Sequence, residues 1–214
     1  MNTSKLTQRE IFLLLGGMTA IAFLLLLFRI RIEGNFRYLF LVWNLFLAYV
    51  PIGFVMIYNK LEKNRISKSL MLGSWLLFFP NAPYILTDFI HLQHHFSVLD
   101  LLIVAFYAVL GLIAGFYSLR MIHKDAQLLN RRWSIPFLFF ITSIGVYLGR
   151  ILRWNSWDIV HQPLQIFKDG LDLFIHPIQN GWSLAFVLIF TLFLMLTYSG
   201  FRKVLQRIHE EKEI

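Results

Sequence analysis

Trp75-Leu76-Leu77-Phe78-Phe79-Pro80-Asn81-Ala82-Pro83-Tyr84-Ile85-Leu86-Thr87-Asp88 sets an asparagine between two prolines inside an apolar run of membrane-spanning length. Each proline lacks an N–H and disfavours helical backbone at the residue before it, so carbonyls one turn earlier, near Leu76 to Phe79, lose their usual partners. Hydrocarbon tolerates a broken helix and a polar side chain only where protein or a water-filled cavity receives them. The stretch therefore predicts a polytopic helical membrane protein and marks a polar site within it. Asn81 and Asn44 are the candidate donors to the freed carbonyls. The alternative is that the prolines only kink the helix and the asparagines hold helices together.

The rest of the chain agrees. Of its 214 residues, 57% are hydrophobic and only 15% charged, and the mean hydropathy is +0.62. A soluble domain of this length would have too little polar surface to face water. The net charge of +8 does not indicate a nucleic-acid partner, because the basic residues lie in short segments between apolar runs. Membrane lipids are the expected partners; a protein partner or a second copy of the chain stays open. The chain has no cysteine, which excludes disulfides, thiolate metal sites and cysteine nucleophiles.

Six runs reach the roughly 20 residues that a spanning helix needs. They cover about 11–30, 37–58, 69–90, 98–119, 133–154 and 181–201, within a single integral membrane domain over 1–214. The first ends at Arg29-Ile30-Arg31 without a small-x-small cleavage site, so a retained helix is expected rather than a signal peptide. The loop 155–180 carries Leu164, Phe167, Leu171 and Phe174 or Ile175 at helical spacing after Pro163, the pattern of a short amphipathic helix on the outer leaflet. Ser97 and Asp100 read as a capping box for the fourth span. The expected fold is all-α: a bundle of six transmembrane helices with one short interfacial helix.

Orientation follows from the cations. With the N-terminus inside, 14 Lys and Arg fall on inner segments and 6 on outer ones, while acidic residues divide evenly. Both termini are therefore expected in the cytoplasm. On this topology Asn44 and Asn81 each lie seven residues from the outer end of their span, roughly 10 Å deep. Tyr147, Arg150 and Trp154 share a face of the fifth span at the same end, and no span offers a comparable polar set in its inner half.

Three groups of residues carry candidate chemistry. Asn44, Asn81, Tyr84, Arg150, Arg153 and Asp158 are candidate ligand-binding residues, since arginine holds phosphate bidentately and stays charged near lipid. Asp88, His91 and Arg150 are candidate catalytic residues, with His91 as a base oriented by Asp88. His91, His94 and His95 are candidate ligands for a divalent metal, which His161, His176 or Asp158 would complete. The competing readings are structural. Histidines are ordinary at an interface, and Arg29, Arg31 and Arg37 are read as snorkelling to it, with Trp154 and Trp157 as belt residues. Asp88 and Arg150 also suit an ion pair locking the third span to the fifth.

Phe79-Pro80-Asn81-Ala82-Pro83-Tyr84, Thr87-Asp88-Phe89-Ile90-His91 and Gly149-Arg150 through Arg153-Trp154-Asn155-Ser156-Trp157-Asp158, with Trp43-Asn44 through Pro51, resemble a family of small bacterial multi-pass membrane proteins of unknown function. The resemblance implies a bacterial cytoplasmic (inner) membrane protein and no defined activity. The Ser-Gly-His element of phosphatidic-acid-type phosphatases and the Gly-x-Ser-x-Gly of rhomboid proteases are absent, and the paired Glu210-Glu211 lie in the tail. The first expectation is an outward-facing intramembrane site that binds or processes an anionic lipid or lipid-linked phosphate. A transporter or flippase, and a non-enzymatic accessory subunit of a membrane complex, are the alternatives.

Overall fold

The computed structural model describes residues 8–61, 65–92, 97–125 and 132–210. Among the described residues the secondary structure is helical, without a strand. In chain order the elements are α1 (Gln8–Glu33), α2 (Phe40–Lys60), α3 (Arg65–Phe78), α4 (Asn81–Tyr84), a 3-10 segment (Ile85–Leu92), α5 (Val98–Asp125), α6 (Ser134–Arg150), α7 (Asp158–His161), α8 (Pro163–Ile175) and α9 (Gly181–Glu210). This is the all-α fold of a membrane protein. Among the described residues five stretches are long and apolar enough to cross a membrane: α1, α2, the run from α3 to the end of the 3-10 segment, α5 and α9.

The expected sixth crossing is shorter than the sequence suggests. α6 has 17 residues, about 26 Å of helix at 1.5 Å per residue, and does not continue to Trp154. The chain leaves the helix after Arg150, Arg153 adopts a left-handed conformation (φ 62), and the Trp154 N–H bonds back to the Leu148 carbonyl at 3.1 Å. The segment that would have prolonged the helix folds over its end instead.

α5 is the centre of the bundle. Within its most apolar window 56% of residues are buried, against 17% for α1 and for α9, so those two helices form the periphery. α1 and α2 pack on α5, α3 packs on α2, and α9 packs on α6. Apolar side chains at the periphery stay exposed, as at Leu14, Leu24, Leu188 and Leu196. A soluble protein would bury such a surface, whereas acyl chains solvate it without cost.

The proline break sits where helices approach closely. A Cβ on Gly111 would stand 2.9 Å from the Ala82 carbonyl oxygen, and one on Gly115 would stand 2.7 Å from the Ala82 Cβ. From the other side, a Cβ on Gly145 would stand 2.8 Å from Pro80 Cγ, and one on Gly149 would stand 3.3 Å from the Tyr84 ring. Two pairs of glycines, each spaced by four, thus clamp α4 between α5 and α6, as small residues do between membrane helices.

Candidate functional site

The break leaves the carbonyls that its geometry dictates, and the predicted donor fills one of them. Ala82 N–H turns to the Phe79 carbonyl (3.1 Å) and Tyr84 N–H to that of Pro80 (3.0 Å). The Phe78 carbonyl is bypassed and accepts from Asn81 Nδ2 at 2.9 Å. Asn81 Nδ2 also donates to Ser156 Oγ at 3.0 Å, and that hydroxyl faces the Leu77 carbonyl at 3.4 Å. The loop after α6 is thereby tied to the broken helix.

Beyond Tyr84 the backbone tightens into the 3-10 segment, in which side chains three apart eclipse one another. Ile85, Asp88 and His91 form one row, and Tyr84 and Thr87 another. Asp88 is fully buried. Its Oδ2 accepts from Asn44 Nδ2 at 2.8 Å, and its Oδ1 pairs with Arg150 Nη2. Arg150 Nε donates to Thr87 Oγ1 at 2.6 Å, and the Thr87 hydroxyl donates to the Tyr84 carbonyl at 2.6 Å. The guanidinium carbon stands 4.1 Å above the Tyr84 ring. The carboxylate is 1% exposed and the arginine side chain 13%, so the pair neutralises itself inside the protein. Arg150 is the last residue of α6, where the helix dipole favours a cation. The ion pair between the third span and α6 therefore exists, with Asn44 of α2 as its third member.

Beside this pair lies a cavity of about 180 Å³, room for about six waters at 30 Å³ each. Asn44, Asn81 and Tyr84 line it, with Trp43, Trp154, Asn155, Ser156, Trp157 and, from α8, Ile166. The orientation of the two amides is fixed by their partners. A carboxylate and a carbonyl only accept, so Asn44 and Asn81 must turn their NH2 groups toward Asp88 and Phe78. Their side-chain oxygens have no partner among the described residues. The cavity is thus lined by amides with unpaired oxygens and by indole side chains, and the charged pair stands behind its Tyr84 wall.

The remaining candidates fall elsewhere. Arg153 is exposed next to the cavity residue Trp154 and makes no hydrogen bond or ion pair among the described residues. Asp158 Oδ2 accepts from the backbone N–H (2.7 Å) and side chain (3.1 Å) of Asn155, which closes the loop and leaves it a structural role. Asp88 does not orient His91, because its two oxygens serve Asn44 and Arg150. His91 is exposed, with Nε2 3.4 Å from Arg150 Nη1, its ring against Phe40 and its carbonyl accepting from Arg37 Nη2 at 3.1 Å. Among the described residues no three His, Asp or Glu side chains gather as a metal site; His94 and His95 lie outside the described residues.

Arg29 does not snorkel: it is 2% exposed, with Nε donating to Asp100 Oδ1 at 2.8 Å, Nη1 donating to the Asn35 carbonyl at 3.0 Å, and its guanidinium 4.8 Å from the Tyr38 ring centre. Asp100 also completes the expected capping box, bonding the Ser97 N–H while Ser97 Oγ accepts from the Asp100 N–H, both at 3.1 Å.

α8 braces the cavity from the side. Trp154 Nε1 donates to Asp169 Oδ2 at 2.8 Å, and Leu173 is buried next to Tyr147 and Val187. Leu164, Phe167, Leu171 and Ile175 remain exposed as an apolar stripe, while Phe174 sets its ring against Phe140 of α6. At the helix end, hydrogen bonds from Asn180 and His176 hold the Asp172 carboxyl below its ordinary range.

No curated protein and no solved structure matches the chain. The Asn44, Asn81, Asp88 and Arg150 constellation, the two glycine pairs and the loop through Trp157 all fall within residues 43–197, which match a family model. The chain belongs to that family, described as a protein of unknown function (DUF1361).

Proposed function

We propose that this protein is a membrane-embedded binding protein for a lipid-linked phosphate, whose hydroxyl-bearing head group enters the cavity from the outer leaflet of a bacterial cytoplasmic membrane. One observation carries the reading: the cavity is lined by Asn44 and Asn81, whose side-chain oxygens have no partner among the described residues, beside Trp43, Trp154 and Trp157. Acceptors call for a ligand rich in donors, and indole faces suit the apolar face of a sugar ring. Arg150 is neutralised by Asp88, so it stiffens the wall and leaves the phosphate to Arg153 at the mouth. The exposed stripe of α8 lies alongside, where the acyl or prenyl chain would run.

Purified full-length protein in a non-ionic detergent tests this with polyprenyl-phosphate hexose and polyprenyl phosphate as probes. The expected result is at least tenfold tighter binding of the sugar-bearing probe, with the preference lost in Trp157→Ala. Trp157 is 41% exposed, so the variant keeps the core intact. Equal binding of both probes, or an unchanged preference in Trp157→Ala, would refute the reading.

A further inference from the structure

The opposite end of the bundle holds a second polar cavity, one that the polar residues of the sequence did not announce. It measures about 570 Å³ and lies among α5, α6 and α9. Among the described residues its cations are Arg132, Arg202 and Lys203, and no aspartate or glutamate lines it. None of the three makes an ion pair among the described residues; Arg132 rests against the Trp133 ring, 5.7 Å from its centre. His123 enters the same cavity with a buried Nδ1 that has no hydrogen-bond partner among the described residues. Ile135, Phe139 and Met195 supply an apolar side.

We infer that this cavity binds the phosphate head group of an anionic phospholipid. Three cations around one space, with no acidic partner among the described residues, repel each other unless an anion sits between them. Arg132 and Arg202 offer planar forks to phosphate oxygens and Lys203 a point charge. His123 Nδ1 is placed to bond a phosphate oxygen or a head-group hydroxyl, according to its tautomer. The volume exceeds a lone phosphate and falls in the range of small-molecule sites. The apolar side, with Met195 exposed at 37%, gives an acyl chain a path out to the bilayer. Basic pockets of this kind between membrane helices take acidic lipid head groups. On the orientation read from the cation distribution, the lipid belongs to the cytoplasmic leaflet. The site is independent of the proposed head-group cavity at the other end.

Native mass spectrometry of the full-length protein in non-ionic detergent, titrated with phosphatidylglycerol, phosphatidylcholine or inorganic phosphate, provides the test. The unmodified protein should retain phosphatidylglycerol at least tenfold more tightly than phosphatidylcholine. Replacing two cations, in Arg202→Gln with Lys203→Gln, should weaken phosphatidylglycerol binding by about 30-fold, at about 1 kcal/mol per cation. The equal-charge control Lys60→Gln with Arg207→Gln, outside the cavity, should change it less than twofold. Arg132→Gln alone should give an intermediate loss and guards against a folding defect in the double variant. Equal losses in the double variant and its control would show diffuse attraction and overturn the site. Absence of a phosphatidylglycerol preference would do the same. Millimolar inorganic phosphate displacing the lipid completely would assign the cavity to a soluble phosphate instead.

Discussion

A carboxylate with no exposure inside a membrane protein survives as an anion only if its charge is answered at contact distance, and Asp88 has Arg150 and Asn44 for that purpose. Removing one member of a buried ion pair leaves the other uncompensated, at a cost of about 3–5 kcal/mol. Arg150→Ala and Asp88→Ala should therefore each lower stability by that order in detergent unfolding. The double variant should cost clearly less than the two together, and additive losses would contradict the pair. The residues at this centre were legible because intramembrane polar groups are few: Asn44, Asn81, Asp88 and Arg150 announce themselves, and their depth on three spans pointed to one place. Arg29 was not legible. Near a helix end it reads like Arg31 and Arg37, and only the fold brings Asp100, which looks like a simple cap, to its side.

At the scale of elements, the Pro80-Asn81-Ala82-Pro83 break is a packing device as much as a polar one. Its backbone can lie against α5 and α6 only because Gly111, Gly115, Gly145 and Gly149 carry no Cβ. Gly115→Val should cost about 1–3 kcal/mol by overpacking, read as a fall in melting temperature. Gly170→Ala, which meets nothing within 4 Å, should not lower it. The glycine pairs escaped the sequence reading because a span is judged there by its polar residues, and glycine has no side chain to count. The α8 helix was legible from its spacing, but not which face it buries, since Leu173 lies off the stripe that drew attention. Its terminus has a pH signature. Asp172 is held below its unfolded pKa, so its contribution is fully present above that value, near 3.8. It is lost as pH falls through the folded value. Amide exchange at His176 to Asn180 should accelerate below about pH 4, and Asp172→Asn should flatten that dependence; no acceleration at low pH would count against the cap.

For the whole molecule, the bundle separates two polar sites by its length: a cavity backed by a neutral ion pair at one end and a cationic cavity at the other. The first was half visible in the sequence, as the level shared by Asn44 and Asn81. The second was not, because its cations come from a turn and the far end of α9, where they resemble ordinary topology signals. The absence of cysteine makes sidedness measurable, since any introduced thiol is unique. Ile178→Cys, at an almost fully exposed position, should react with a membrane-impermeant maleimide on intact cells, and Lys60→Cys only after permeabilisation; the reverse pattern would invert the topology. The most direct measurement combines sidedness with access to the cavity: the rate at which Ser156→Cys is labelled by the same reagent on intact cells, with and without polyprenyl-phosphate hexose. The account predicts labelling from outside, slowed at least fivefold by the lipid-linked sugar and little by polyprenyl phosphate. Labelling only after permeabilisation, or a rate indifferent to the sugar, would contradict it.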